Sequence, residues 1–78
     1  MTRTMLKVEE EIARAIAKYG DFNSPHESFG VLAEEVAELQ DEIRAHCWGK
    51  ARKEAIQIAA IAIRLAAYQT KLEKKGLL

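Results

Sequence analysis

Carboxylates are concentrated in one short segment of the chain, residues 31–43. Its sequence, VLAEEVAELQDEI, contains five acidic residues and no lysine or arginine, although the 78-residue chain has a formal net charge of zero. Oxygen-rich acidic sites are typical ligands of hard divalent cations such as Mg²⁺ and Mn²⁺. Like charges three or four residues apart on a helix also destabilise it, by about 0.2–0.5 kcal/mol per pair. The segment therefore requires positive charge, either from a cation or from basic side chains elsewhere in the chain.

A helix predicted over residues 25–46 carries these acids. Ser24 is a suitable N-cap, Pro25 takes the first helical position, and Glu27 stands where a capping box requires it. Apolar residues then recur at steps of three and four and form one narrow stripe. They are Phe29, Leu32, Val36, Leu39 and Ile43.

Three glutamates of this helix, Glu35, Glu38 and Glu42, share the face that adjoins the apolar stripe when residues are placed at 100° intervals. Glu34 and Asp41 lie just beyond them. One interpretation is that basic side chains of another helix neutralise this face, and the other is that a divalent cation does so. The basic side chains available for the first interpretation are those of the segment GKARK, namely Lys50, Arg52 and Lys53.

The remaining elements are also predicted to be helical, so the chain is expected to be all-α, in a single domain over residues 1–78. A first helix is predicted over residues 4–19, with Gly20 placed to end it, and the segment GDFNSP forms the one clear loop. After a break at Gly49, a third helix is predicted over residues 50–75, with Gly76 as its stop.

The third helix is apolar nearly all round. Of the fourteen residues from Ala55 to Tyr68, only Gln57 and Arg64 are polar. Such a helix is either in a membrane or enclosed by neighbours, and fourteen residues are too few to span a bilayer. Because two other helices in a small chain cannot cover every side of it, we expect a homodimer, or a homotetramer, whose subunits complete a helical bundle.

The start of the third helix favours the cation interpretation. Glu54 lies there, and Gln57 follows one turn later on the same side. If the second and third helices pack antiparallel, Glu54 approaches Glu35 and Glu38. Glu42 lies nearer the turn and is a candidate for an additional ligand or for a supporting group.

At these residues the sequence resembles the MazG-like, all-α nucleoside triphosphate pyrophosphohydrolase superfamily. The motif of that family is ExxE on one helix followed by ExxD on the next. Here EEVAEL supplies Glu35 and Glu38, and KEAIQIAAIAIRLA supplies Glu54 after fifteen intervening residues. The resemblance covers residues 24–67. Within it, HESFGVLAEEVAEL followed by EAIQIAAIAIRLA is similar to small MazG-like proteins of phages and mobile elements.

This resemblance implies a helical dimer that uses Mg²⁺ or Mn²⁺ to cleave a nucleoside triphosphate between its α and β phosphates, giving a monophosphate and pyrophosphate. It implies metal ligands at Glu35, Glu38 and Glu54, and a water-orienting carboxylate among these or at Glu34. Gln57 departs from the family, which has an aspartate at this position. The alternative is therefore a weakly active or inactive member that serves as a helical oligomerisation or interaction module.

Three further residues are candidates for substrate binding beside Gln57. Arg64 lies seven residues later, so it could bind phosphate oxygens or pair with an acid of the second helix. Lys53 could bind phosphate or could be a solvated residue at a helix start. Trp48 could stack on a nucleobase or cover the edge of the core.

Composition argues against several other classes. A pI of about 6.7 gives no general attraction to nucleic acid. The single cysteine, Cys47, excludes an internal disulfide, and the start MTRTMLKVEE has no apolar segment of signal-peptide length. We therefore expect a cytoplasmic protein that is not inserted in a membrane.

Overall fold

The protein, described over residues 1–77 by a computed structural model, forms three α-helices and no strand within that range. They are α1 (Thr2–Tyr19), α2 (Pro25–Arg44) and α3 (Trp48–Lys74). The all-α prediction is confirmed. The single domain was expected to extend to Leu78, which lies outside the described residues. The long helix α3 is central and packs against both α1 and α2.

The start of α2 is fixed by its cap. The Ser24 hydroxyl accepts a hydrogen bond from the backbone N–H of Glu27 at 3.0 Å. The Glu27 carboxylate returns to Asn23, whose backbone N–H donates at 3.0 Å and whose side-chain amide donates at 2.9 Å. This backbone hydrogen bond from Asn23 lowers the pKa of Glu27. The predicted cap is present, with the carboxylate one residue further back than a capping box places it.

The turn between α2 and α3 lies earlier than predicted. The expected break at Gly49 is wrong, because Gly49 is already part of α3. The chain reverses at His46, which adopts a left-handed φ of 57°. Its N–H donates to the Ile43 carbonyl at 3.1 Å, and the next N–H, of Cys47, donates to the Glu42 carbonyl at 2.9 Å. This pair of bonds is a Schellman motif. Histidine here takes the left-handed position that sequence patterns usually assign to glycine.

The core is small and centred on α3. Ile61 and Tyr68 are buried there together with Phe22 of the loop between α1 and α2. The rings of Phe22 and Tyr68 meet edge to face, with centroids 6.1 Å apart. Partly buried side chains of α2 and α3 complete this core, namely Val31, Leu32, Leu65 and Leu72.

Two contacts tie the loop between α1 and α2 to α3. The guanidinium of Arg64 donates to the Gly20 carbonyl at 3.2 Å and lies over the Phe22 ring, 4.4 Å from its centroid. Lys71 pairs with Asp21 at 2.7 Å, and its hydrogen bond lowers the pKa of that carboxyl. These contacts fix the position from which α2 departs.

The apolar stripe of α2 is not its most buried face. Leu32 and Leu39 are half-buried, while Phe29, Val36 and Ile43 are exposed. The face turned toward α3 runs instead through Ser28, which is completely buried, and through two half-buried acids two and four turns further on, Glu35 and Glu42. Two of the acids therefore lie against α3 rather than in open solvent.

None of the helices within residues 1–77 combines the length and the apolarity needed to cross a bilayer.

Candidate functional site

Three carboxylates converge between α2 and α3: Glu35, Glu38 and Glu54. Each offers an oxygen that lies within 4.8 Å of those of the other two. We call these residues the acid trio. Glu54 is only 9% exposed, Glu35 is half-buried, and Glu38 is open to solvent. The antiparallel packing of α2 against α3 thus brings Glu54 to the two α2 acids, as the spacing predicted.

The acid trio holds a proton when no cation neutralises it. Hydrogen bonding to Glu35 raises the pKa of Glu54 from its ordinary value of 4.5 to about 8. Burial, a hydrogen bond to Glu38 and the charges of both neighbours act in the same direction. At neutral pH Glu54 is therefore mostly a neutral donor.

Gln57 contacts two members of the acid trio. In the amide orientation that satisfies both partners, its nitrogen donates to Glu35 Oε2 at 2.9 Å and to Glu54 Oε2 at 3.0 Å. The amide of Gln57 thus donates hydrogen bonds to two carboxylates, as a lysine or arginine would, but it carries no positive charge. A cation binding at the acid trio has to displace these two hydrogen bonds or turn the amide oxygen toward itself.

Glu42 lies one turn beyond Glu38 on the same helix. Its Oε1 atom is buried, and no hydrogen-bond partner for it is present among the described residues. A buried carboxylate oxygen without a partner is energetically costly. Glu42 therefore adds an unsatisfied acceptor to the acidic side of α2.

Among the described residues, no basic side chain forms an ion pair with the acid trio. Within residues 1–77 the ion pairs are Arg14 with Glu11, and Lys71 with Asp21. The candidate partners at the start of α3 are exposed and are absent from these pairs. They are Lys50, Arg52 and Lys53.

A cleft of about 570 Å³ adjoins the acid trio. Its walls are α1 and α2, its floor is α3, and the loop between α1 and α2 closes one end. Glu35 and Gln57 belong both to the lining of the cleft and to the cluster of acids. Phe22 and Ile61 supply apolar lining, and Arg64 supplies a guanidinium. The cleft therefore offers an apolar and partly cationic space that ends at a group of carboxylates.

The four candidate substrate residues fall in different places. Gln57 and Arg64 line the cleft. Lys53 is exposed on α3, one turn before Gln57 on the same side. Trp48 is nine residues before Gln57, which places it on the opposite side of α3. Its ring stacks on His46 with centroids 5.3 Å apart, and the residue is 60% exposed.

Glu34, the other candidate for orienting water, is exposed and is not part of the acid trio. It is adjacent in sequence to Glu35, on the side of α2 that borders the cleft. The structure thus leaves Glu34 free of any hydrogen bond to Gln57, in contrast to its neighbour.

The contribution of α1 and of the loop to the cleft was not predicted. Arg14 and Tyr19 line the wall formed by α1, and Asn23 lines the closed end. The sequence contained one usable signal, the GDFNSP loop, in which an aromatic residue lies between polar ones. Nothing in the periodicity of α1 indicated which of its faces borders an open space.

The donor set of the acid trio fits a hard divalent cation. Carboxylate oxygens around Mg²⁺ lie at about 2.1 Å from the ion, which places neighbouring oxygens about 3 to 4 Å apart. The oxygens of the acid trio are already within 4.8 Å of each other, so small side-chain rotations suffice. The unpartnered oxygen of Glu42 provides one more acceptor nearby.

Comparisons of the chain with protein-family models, with curated proteins and with solved structures find no match.

Proposed function

We propose that the protein is a Mg²⁺- or Mn²⁺-dependent nucleoside triphosphate pyrophosphohydrolase, resembling the MazG-like superfamily. The observation that carries this proposal is the convergence of Glu35, Glu38 and Glu54 at the end of a cleft. Carboxylates alone suit a hard cation, and a cleft beside them suits the organic part of a substrate whose anionic part the cation attracts.

In this proposal Glu35, Glu38 and Glu54 hold the cation. When bound, the cation neutralises the triphosphate oxygens and polarises the phosphorus for attack. Glu54 has to release its proton before it becomes a ligand, because its pKa is raised to about 8 in the cation-free protein. Gln57 has to give up its two hydrogen bonds at the same time.

A carboxylate beside the acid trio orients the attacking water. Glu34 is suitable because its exposed side chain is free of Gln57, and Glu35 and Glu38 are the other candidates. Attack forms one new P–O bond to the water oxygen and breaks the bridge between the α and β phosphates. The orienting carboxylate accepts one proton from the water, the bridging oxygen leaves with the pyrophosphate, and the other product is the nucleoside monophosphate.

The cleft receives the nucleoside in this arrangement. Its volume of about 570 Å³ is within the range of small-molecule sites, about 300–1,000 Å³. Phe22 and Ile61 offer apolar contact to a base, and the Asn23 amide offers a polar contact. Arg64 lines the cleft and uses one N–H on the Gly20 carbonyl, so its other N–H groups are available to phosphate oxygens.

A second candidate function is an oligomerisation or interaction module without efficient catalysis. The observation that favours it is Gln57, which satisfies Glu35 and Glu54 with a neutral amide. A protein of this kind keeps the helical fold while its acids remain hydrogen-bonded within the chain.

The test is pyrophosphate release from a panel of ribo- and deoxyribonucleoside triphosphates with Mg²⁺ or Mn²⁺. Wild type is compared with Glu38→Gln, which keeps the shape of the side chain and removes one ligand charge. Glu73→Gln is the matched control, because Glu73 is an exposed acid of α3 outside the acid trio.

The proposal requires release by wild type and by Glu73→Gln, and a loss of about 100-fold or more in Glu38→Gln. Equal release by all three proteins would assign the activity to a contaminant or to another site. A folded wild type that is inactive across the panel would support the interaction module instead.

A further inference from the structure

Positive charge is concentrated around the end of the α2–α3 hairpin. Residues 44–53, RAHCWGKARK, contain four of the twelve lysines and arginines and none of the twelve acids. Each of these four basic side chains is exposed, and none belongs to an ion pair within residues 1–77. The zero net charge of the whole chain therefore conceals a local excess of positive charge.

Two exposed rings lie among these cations. His46 and Trp48 stack with centroids 5.3 Å apart and with ring planes 15° from parallel. Trp48 is 60% exposed, so the stack covers one face of the indole and leaves the other face accessible. We call this region the basic tip. Its members are Arg44, His46, Trp48, Lys50, Arg52 and Lys53.

The basic tip has an aromatic side that faces away from the cleft. Trp48 lies opposite Gln57 on α3, and Arg52 follows Trp48 by four residues, on the same face of the helix. Lys50 and Lys53 lie on the cleft side of α3 instead. Trp48 and Arg52 are therefore separate from the cleft and from the acid trio.

The nearest acids leave most of the surface of the basic tip to the cations. Glu54 is buried and Glu42 is half-buried, both on faces where α2 and α3 meet. Asp41 is exposed one turn before Arg44, where it bounds the basic tip along α2. An anionic partner that approaches the end of the hairpin therefore meets cations and rings before it meets an acid.

A partner complementary to the basic tip carries both repeated negative charge and flat aromatic groups. Single-stranded nucleic acid does so, because its phosphates pair with arginine and lysine while its unpaired bases stack on aromatic side chains. The His46 ring supports Trp48 from one side, so a base can stack on the other side without first ordering the indole. A duplex keeps its bases stacked on one another, which leaves only its phosphates for contact with the tip.

An anionic membrane surface fits the basic tip less well. Peripheral binding depends on apolar area inserted among the headgroups as well as on attraction to anionic lipid. Within residues 44–53 the only large apolar side chain is Trp48, and His46 covers one face of it. The basic tip therefore has little apolar area to insert.

We infer that the basic tip binds single-stranded nucleic acid, with a base stacked on the open face of Trp48 and with phosphates on Arg44 and Arg52. A pI of about 6.7 predicts no general attraction to nucleic acid, whereas this inference concerns one end of the molecule. It uses neither the acid trio nor the cleft, so it holds or fails independently of the proposed hydrolase.

The test is titration of the full chain with an oligothymidylate of about twelve nucleotides, in EDTA so that no cation occupies the acid trio. Trp48 is the only tryptophan of the chain, so its own fluorescence reports on stacking. A base stacked on the indole quenches the emission, whereas burial in lipid shifts the emission to shorter wavelength. Anisotropy of a labelled oligonucleotide measures the affinity of variants that lack the tryptophan.

The expected result is quenching by the oligonucleotide, with an association constant that falls as salt is raised. The logarithmic slope should be about −2, since about three phosphate contacts contribute roughly −0.7 each. Trp48→Ala should weaken binding by about tenfold through the loss of one stacked base. Arg52→Gln should reduce the slope by about 0.7. Arg3→Gln is the matched control and should bind as wild type does, because Arg3 is an exposed arginine of α1.

Circular dichroism checks that each variant is helical, and Arg52→Gln decides the matter where Trp48→Ala loses its helices. The inference is overturned if the oligonucleotide does not bind at about 20 mM salt, or if the control loses as much affinity as the tip variants. Tip variants that bind as wild type does overturn it as well. So does equally tight binding of duplex DNA or of thymidine triphosphate alone. A blue shift with phosphatidylserine vesicles, without binding of the oligonucleotide, would assign the basic tip to an anionic membrane instead.

Discussion

The two sides of the α2–α3 pair differ in almost every physical respect. One side carries the acid trio, the unpartnered oxygen of Glu42 and a raised pKa at Glu54. The other side carries no acid of α2 and exposes large apolar side chains beside alanines. A single pair of helices thus presents a surface suited to a cation and a surface suited to another helix.

Each side carries a different energetic cost in the isolated chain. On the cleft side the cost is electrostatic, and the protein limits it by protonating Glu54 and by donating from Gln57. On the other side the cost is apolar surface left in water, at about 25 cal/mol per Å². Positive charge lowers the first cost, and burial of apolar surface lowers the second. A substitution can therefore change one side without the other.

Removing one ligand from the cleft side should have the largest effect. In Glu54→Gln, stabilisation by added Mn²⁺ should disappear and nucleotide hydrolysis should fall by about 100-fold or more, since one of three carboxylates is lost. Thermal unfolding with and without Mn²⁺ measures the first, and pyrophosphate release the second. The mass of the protein should be unchanged. A variant that binds Mn²⁺ as wild type does would exclude Glu54 as a ligand.

Adding a charge to the cleft side should strengthen cation binding. Gln57→Asp removes the two hydrogen bonds to Glu35 and Glu54 and supplies a fourth carboxylate, so Mn²⁺ affinity should rise by about tenfold or more. The cation-free protein should become less stable because like charges then crowd together. Isothermal titration calorimetry measures the affinity. Gln69→Asp, on the same helix but outside the cleft, is the control and should leave it unchanged.

The pH dependence of stability should identify the cleft side directly. The pKa of Glu54 is about 8 in the folded protein and near 4.5 when unfolded, so the folded state binds more protons between these values. The free energy of unfolding should therefore decrease as pH rises from about 5 to about 8 in EDTA. Urea unfolding at several pH values measures this slope.

Glu54→Gln should flatten that slope, and saturating Mn²⁺ should flatten it as well, because a cation-bound Glu54 carries no proton in the folded state and an unfolded Glu54 carries none above about pH 5. A slope that is identical in wild type and in Glu54→Gln would contradict the assignment of the proton to this site.

A change outside both surfaces should have the smallest effect. Ser24→Ala removes the cap of α2 and should lower the free energy of unfolding by about 1 kcal/mol. Urea unfolding should give the same loss with and without Mn²⁺, and the mass should not change. A loss that depends on the cation would mean that the start of α2 is coupled to the acid trio.

The helices and the acid trio follow from local patterns in the sequence. Ser24, Pro25 and Glu27 define the start of α2 through short-range hydrogen bonds, and the structure contains this cap. The spacing of Glu35, Glu38 and Glu54 needs only an antiparallel hairpin of helices to become a cluster. Such features are predictable because they depend on few residues and on a single antiparallel contact between two helices.

The rotation of α2 and the position of the turn were harder to predict. The apolar stripe through Val36 suggested a buried face, but Ser28 and Glu35 are turned toward α3 instead. The observed rotation of α2 about its axis depends on the packing of all three helices. The periodicity of one helix does not encode that packing. Likewise, His46 takes a left-handed conformation that residue preferences assign to Gly49 three positions later.

The attachment of α1 has a consequence for ligand size. The acid trio belongs entirely to α2 and α3, whereas one wall of the cleft is α1. The end of α1 is attached to α3 by the hydrogen bond from Arg64 to the Gly20 carbonyl. Substitutions on the α1 wall, at Arg14 or Tyr19, would change the width of the cleft without adding or removing a member of the acid trio. The size of the ligand and the binding of the cation are therefore set by different helices.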